Sequence, residues 1–124
     1  MKKILIIEDD KLLADLMEEN LRVGEFEIVR AMNAEEGLLK ARAERPALIL
    51  LDILLPGMNG FELFMLMKKD PELMRIPVII VSNLGQKEEI DRGFALGAKD
   101  YLVKAHLTLD KVLEKVKAVL NGTS

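Results

Sequence analysis

Four carboxylates, one lysine and one serine stand at the ends of apolar runs. Glu8, Asp9 and Asp10 follow the run 3–7, Asp52 follows 48–51, Ser82 closes 78–82 and Lys104 follows 101–103. If these runs are strands of one parallel sheet, all these groups emerge at one carboxyl edge. Open α/β sheets bind their ligands there. Acids gathered at one edge repel each other, so the arrangement calls for a hard cation. An isolated carboxylate at the end of a strand as apolar as 48–51 is costly unless paired or metal-bound.

Two readings of Asp52 follow from the residues alone. In one, Asp52 and Lys104 form a purely structural buried ion pair. In the other, Asp52 is a carboxylate nucleophile of the kind that forms an aspartyl phosphate. That chemistry needs Mg²⁺ to screen the incoming phosphoryl group, and Glu8 and Asp9 can hold such an ion. It also needs donors to the phosphoryl oxygens, for which Lys104 offers a charge and Ser82 a hydroxyl. The acids after the first run have a plainer use as well, as caps at the positive end of a helix. Asp10, directly before Lys11, suits that use best. The same acids occupy the place of a glycine-rich phosphate loop and would repel a nucleotide or flavin phosphate.

The elements that must position these groups alternate in period. Residues 3–7, 27–31, 48–52, 78–82 and 100–103 read as strands. Leu13, Leu16, Met17 and Leu21 recur at helical spacing, so 11–23 reads as a helix, with Gly24 as its stop. Asn33 with Glu36 has capping-box spacing and opens a helix to about residue 44, ended by Pro46. Further helices are expected over 60–69, 87–96 and 109–121, the last capped by Thr108. The 56–60 stretch, Pro-Gly-Met-Asn-Gly, is turn chemistry, and 121–124 reads as a short tail. Five strand–helix units imply a parallel, doubly wound α/β sheet with right-handed crossovers, and the order 2-1-3-4-5 suits five strands.

The chain has 124 residues, 50% hydrophobic and 31% charged, with net charge −3. That is the balance of one globular domain over 1–124. The acidic balance argues against direct nucleic-acid binding. The absence of cysteine excludes disulfides and thiolate metal sites and points to a reducing cytoplasm. No apolar run spans a membrane, and the four apolar residues after Met1-Lys2-Lys3 are too few for a signal-peptide core.

Taken together, these residues resemble the receiver domain of response regulators, the phosphorylation switch of two-component signalling. The acidic pair matches Glu8-Asp9 and the phosphoacceptor Asp52, with the family's proline at Pro56 and glycine at Gly60. The hydroxyl residue matches Ser82, the switch aromatic Tyr101 and the lysine Lys104. Gly97-Ala98-Lys99-Asp100-Tyr101 resembles the family's turn into the last strand. The resemblance implies Mg²⁺ (or Mn²⁺) held by Glu8, Asp9, Asp52 and the backbone carbonyl of Leu54. It implies a phosphohistidine donor on a histidine kinase or phosphotransfer protein, and a downstream protein target. It also implies a monomer or a weak phosphorylation-dependent dimer. After phosphorylation, Ser82 moves toward the phosphoryl group and Tyr101 turns inward, remodelling the surface of the fourth helix, fifth strand and fifth helix. The protein would catalyse only its own phosphorylation and dephosphorylation.

Two departures stand out. The family has a cis-linked proline after its lysine, where this chain has Ala105. With no proline, a trans bond, a shifted loop before the last helix and a less fixed Lys104 head group are expected. Asn83 stands where a small residue usually follows the hydroxyl residue. His106, the single histidine, reads as an exposed loop residue. Three classes compete: a phosphorylatable receiver, alone or as part of a larger regulator; a receiver fold acting as a fixed interaction module; and a hydrolase with an aspartyl-phosphate intermediate. The last normally needs a second acid two residues after the nucleophile, where Leu54 stands.

Overall fold

In the computed structural model, which describes residues 1–122, strands and helices alternate throughout. The strands are β1 (Lys3–Ile7), β2 (Glu27–Ala31), β3 (Leu48–Leu51), β4 (Val78–Ser82) and β5 (Asp100–Val103). The helices are α1 (Lys11–Val23), α2 (Ala34–Glu44), α3 (Gly60–Lys68), α4 (Lys87–Ala95) and α5 (Leu109–Leu120). All strands pair in parallel in the order β2-β1-β3-β4-β5, as the sequence predicts. The expected 121–124 tail is described only as far as Gly122; Thr123 and Ser124 lie outside the described residues.

Strand periodicity divides the core in two. Leu5, Ile7, Ile49, Leu51, Val78, Ile80 and Tyr101 face one side, where Ala34 and Ala41 of α2 and Phe61, Phe64 and Met67 of α3 cover them. Ile4, Ile6, Leu48, Leu50, Ile79, Val81 and Leu102 face the other, beneath Ala14, Met17 and Leu21 of α1 and Val112 and Val116 of α5. β3 and β4 are buried at every position, which is why they read as unbroken apolar runs.

The caps follow local chemistry. Asp10, Asn33, Asn59 and Thr108 each accept a hydrogen bond from the backbone N–H three residues on. The expected box at Asn33 is skewed, because Glu36 Oε1 accepts from Met32 N rather than Asn33 N. Gly24 caps α1 just past its end, as the sequence predicts, but not in a left-handed conformation. Its φ is −78°, and Glu25, at φ 67°, takes the positive region instead. Gly24 also packs closely: a Cβ there would fall 2.6 Å from Leu113 Cδ1 of α5, which would have to shift. Gly97, with φ 106°, does end its helix in the left-handed region. The ends expected at residues 69, 96 and 121 each fall one residue earlier, and β3 stops at Leu51 rather than Asp52.

Candidate functional site

Register brings the chemistry together. Ile7 pairs with Leu51 across β1 and β3, so the next residues, Glu8 and Asp52, leave the sheet side by side. Asp52 N donates to Ile7 O at 3.0 Å and Glu8 N to Ala31 O at 3.0 Å. On the other side Ser82 pairs with Val103, which places Lys104 one step beyond the sheet. Glu8, Asp9 and Asp52 offer carboxylate oxygens that all lie within 4.8 Å of one another. Glu8 and Asp52 are each 3% exposed, while Asp9 is open to solvent.

Lys104 closes this pocket. Its Nζ donates to Asp52 Oδ2 at 2.9 Å and to Glu8 Oε2 at 3.0 Å, and it lies 2.9 Å from Glu8 Oε1. The Asp52–Lys104 pairing is therefore present, with Glu8 as a third member. Burial pushes Glu8 up to about 7; the Lys104 bond opposes this and the Asp52 charge adds to it. Burial alone would lower Lys104, but its bonds to Glu8 and Asp52 outweigh that and hold it above its ordinary value. The expectation of a loose Lys104 head group is corrected here: two carboxylates fix it. The expected trans bond agrees with the backbone. No peptide bond among the described residues is cis, and Lys104–His106 forms a 3₁₀ turn before α5, with Leu107 N donating to Lys104 O.

The remaining groups sit on adjoining loops. Leu54 N donates to Asp52 Oδ1 at 3.1 Å, which fixes the peptide two residues after the acid. Asp10 N donates to Glu8 Oε2 at 3.1 Å while its own carboxylate caps α1, the use its position predicts. Gly60 lets α3 start directly under the end of β3, since a Cβ there would collide with the Asp52 carbonyl. Ser82 is fully buried, and its Oγ accepts from Leu84 N at 3.3 Å. Tyr101 is 8% exposed and points inward, its hydroxyl donating to Leu84 O at 2.6 Å. Burial raises its pKa, with the Glu89 charge adding to the effect. His106 is exposed, as expected.

The backbone of Leu84 is the site feature that residue types do not reveal, because any side chain could stand there. Its position two residues after Ser82, opposite an aromatic strand, is the only sequence signal.

The pocket suits a hard divalent cation. Its donors are carboxylate oxygens, those of Glu8, Asp9 and Asp52, gathered within 4.8 Å of one another. Among the described residues, the Lys104 ammonium is the only cation paired with the two buried acids. The sequence comparisons agree with this geometry. A family model described as response regulator receiver domain matches residues 4–117. Protein PilH of Pseudomonas aeruginosa is 35% identical over 122 residues, covering 98% of this chain and 100% of PilH. The phosphate regulon transcriptional regulatory protein PhoB of Rhizobium meliloti is 35% identical over 120 residues, 97% of this chain but 52% of PhoB. The chain thus spans about half the length of the first curated relatives it matches. Among solved structures, a CheY-like response regulator receiver domain protein from Methanospirillum hungatei is 32% identical. It superposes with a TM-score of 0.89 over 99% of this chain and 96% of its own. A buried acid paired to lysine at the carboxyl edge of a 2-1-3-4-5 sheet, together with these matches, places the chain in the response regulator receiver family of two-component signal transduction.

Proposed function

We propose that this receiver is a phosphorylation-activated switch in which Asp52 accepts a phosphoryl group from a phosphohistidine on a histidine kinase or phosphotransfer protein. The observation that carries the reading is the placement of Asp52. It is buried, bonded to Lys104 and flanked by Glu8 and Asp9, at the edge where solvent can reach the pocket through exposed Asp9. An Asp52 carboxylate oxygen attacks phosphorus, the P–N bond breaks, and the imidazole leaves with that electron pair and takes up a proton. Lys104 meets the negative charge that builds on the phosphoryl oxygens. The Ser82 hydroxyl, released from Leu84 N, supplies a further donor. Glu8, Asp9, Asp52 and the Leu54 carbonyl would hold Mg²⁺ (or Mn²⁺), which screens the phosphoryl charge when bound.

The output is protein contact through the surface of α4, β5 and α5. The reading includes a monomer or weak phosphorylation-dependent dimer, with no direct nucleic-acid contact by this domain and a cytoplasmic setting. Among the described residues no helix is long and apolar enough to cross a membrane.

One observation favours a second reading, a receiver whose surface is held without phosphorylation: the Tyr101 ring is buried and its hydroxyl is tied to the Leu84 carbonyl. A single experiment separates the two. With Mg²⁺ and acetyl phosphate or beryllofluoride, the switch predicts a mass increase or adduct at Asp52 and amide shifts across α4–β5–α5. A chain that shows neither is the fixed module.

A further inference from the structure

We propose that the outward face of α2 and α3 is a self-association surface whose occupant is a second copy of this chain, docked about a two-fold axis. Both helices carry the same stripe. Glu35, Leu39 and Arg42 on α2, and Glu62, Leu66 and Lys69 on α3 and its C-cap, repeat acid, leucine, base at helical spacing i, i+4, i+7. All six side chains stand on the exposed side, with Leu39 67% and Leu66 42% exposed.

The two stripes lie side by side and in step. α2 and α3 cover the same face of the sheet and each follows a parallel strand, so they run in the same direction. The start of α2 stands beside the entry to α3, where a Cβ on Gly57 would lie 3.5 Å from Glu35 Oε1. Its end stands beside the exit, where Arg42 Nε donates to Asp70 Oδ2 at 3.3 Å. The face is thus acidic at one end, apolar across the middle and basic at the other. Helix dipoles favour acids first and bases last, but they do not call for an exposed leucine between the two on the same stripe.

Such a face is complementary to itself. A two-fold axis in the plane of the face, running across the helices, passes midway between residues 35 and 42 and midway between 62 and 69, beside Leu39 and Leu66. It lays each helix antiparallel on its own copy. Glu35 then faces Arg42 of the second copy and Glu62 faces Lys69 of the second copy, with leucine on leucine at the centre. A parallel arrangement opposes acid to acid and is repelled. Among the described residues Glu35, Glu62 and Lys69 have no ion-pair partner, so their charges are free to pair across the axis. Each helix is about three turns long, so the patch covers a few hundred Å² per copy, below the roughly 800 Å² of a stable dimer. The association is therefore weak, with a Kd of about 0.1 mM or weaker. It uses neither α4, β5 nor α5.

The test is sedimentation and amide-shift dilution on the wild-type chain at up to about 1 mM. Mass should rise with concentration, and the shifts should map to α2 and α3. Asp52→Asn should behave identically, so the result does not depend on the phosphorylation reading. Glu62→Lys and Lys69→Glu should each weaken association about tenfold or more, because each opposes like charges across the axis. Leu39→Ser should weaken it as well. An equimolar mixture of Glu62→Lys and Lys69→Glu should associate at least as tightly as the wild type, since only the mixed pair joins opposite charges at both sites. A wild type that stays monomeric overturns the proposal and leaves the face to a partner other than this chain. Association that survives both reversals, or shifts confined to α4–β5–α5, overturns it by placing the contact elsewhere. Single variants that lose association and do not recover it on mixing overturn the two-fold pairing.

Discussion

The Tyr101 hydroxyl donates to the backbone carbonyl of Leu84 at 2.6 Å, while Leu84 N donates to Ser82 Oγ at 3.3 Å. One peptide segment, between β4 and α4, is therefore held on one side by the buried serine beside the pocket and on the other by the aromatic of β5. Gly93 of α4 makes room for the Tyr101 ring, since a Cβ there would come within 2.8 Å of Tyr101 Cδ2. The carboxylate pocket and the α4 surface are thus joined through Leu84.

Tyr101→Phe keeps the buried ring and removes the donor. Stability should fall by about 1 kcal/mol, the net worth of one hydrogen bond. Amide exchange should speed up around Leu84 and Gly85. Denaturant melts and hydrogen exchange check this, and an unchanged exchange rate at Leu84 would mean that the bond does not restrain the loop.

Asp52→Asn should abolish labelling by acetyl phosphate without harming the fold. Lys104 keeps Glu8 as a partner, so no charge is stranded, and one of three mutually repelling acids is neutralised. In metal-free buffer the variant should be as stable as the wild type or more stable by about 1 kcal/mol. The difference should shrink as Mg²⁺ stabilises the wild type. Label that persists on another acid would show that Asp52 is not the nucleophile.

The phosphorylated form should be long-lived. Leu54 and Leu84 follow Asp52 and Ser82 by two residues, and their peptides bond to those same side chains. Neither side chain can orient an attacking water. The double variant Leu54→Asn, Leu84→Glu should dephosphorylate about tenfold faster, the rate equivalent of ~1.4 kcal/mol. Phosphate release in excess Mg²⁺ measures it, and an unchanged decay rules these positions out.

Ala105→Pro should weaken this loop, although proline is the family's residue there. A proline disfavours helical backbone in the residue before it. Lys104 opens the 3₁₀ turn, and its carbonyl accepts from Leu107 N. Forcing Lys104 toward an extended conformation breaks that turn and misaims the ammonium. A loss of about 1 kcal/mol is expected, with slower labelling of Asp52. Equal or greater stability in thermal melts would count against the turn.

Much of the fold was legible because its determinants are local. Strand and helix periods, the Asp10, Asn33 and Thr108 caps and the Gly97 stop depend on residues a few positions apart. The alternation of strands and helices then left few topologies, and the 2-1-3-4-5 order was among them. The acids, serine and lysine could be placed at one edge for the same reason, since each ends a strand.

What the tertiary structure alone decided involves partners far apart in the chain. Lys104 meets Glu8 across 96 residues and Asp52 across 52, so the grip on its head group depends on strand register and on the turn it opens. Tyr101 meets Leu84 through a backbone carbonyl, a group that every residue carries and no side-chain pattern marks. Gly24 ends α1 as its position predicts, but its close approach to Leu113 is invisible locally, because that side chain belongs to α5. Residue types and short spacings determine which groups can reach the pocket edge. Which of them bond there is decided by close packing between distant segments, where a shift of one strand position exchanges every partner.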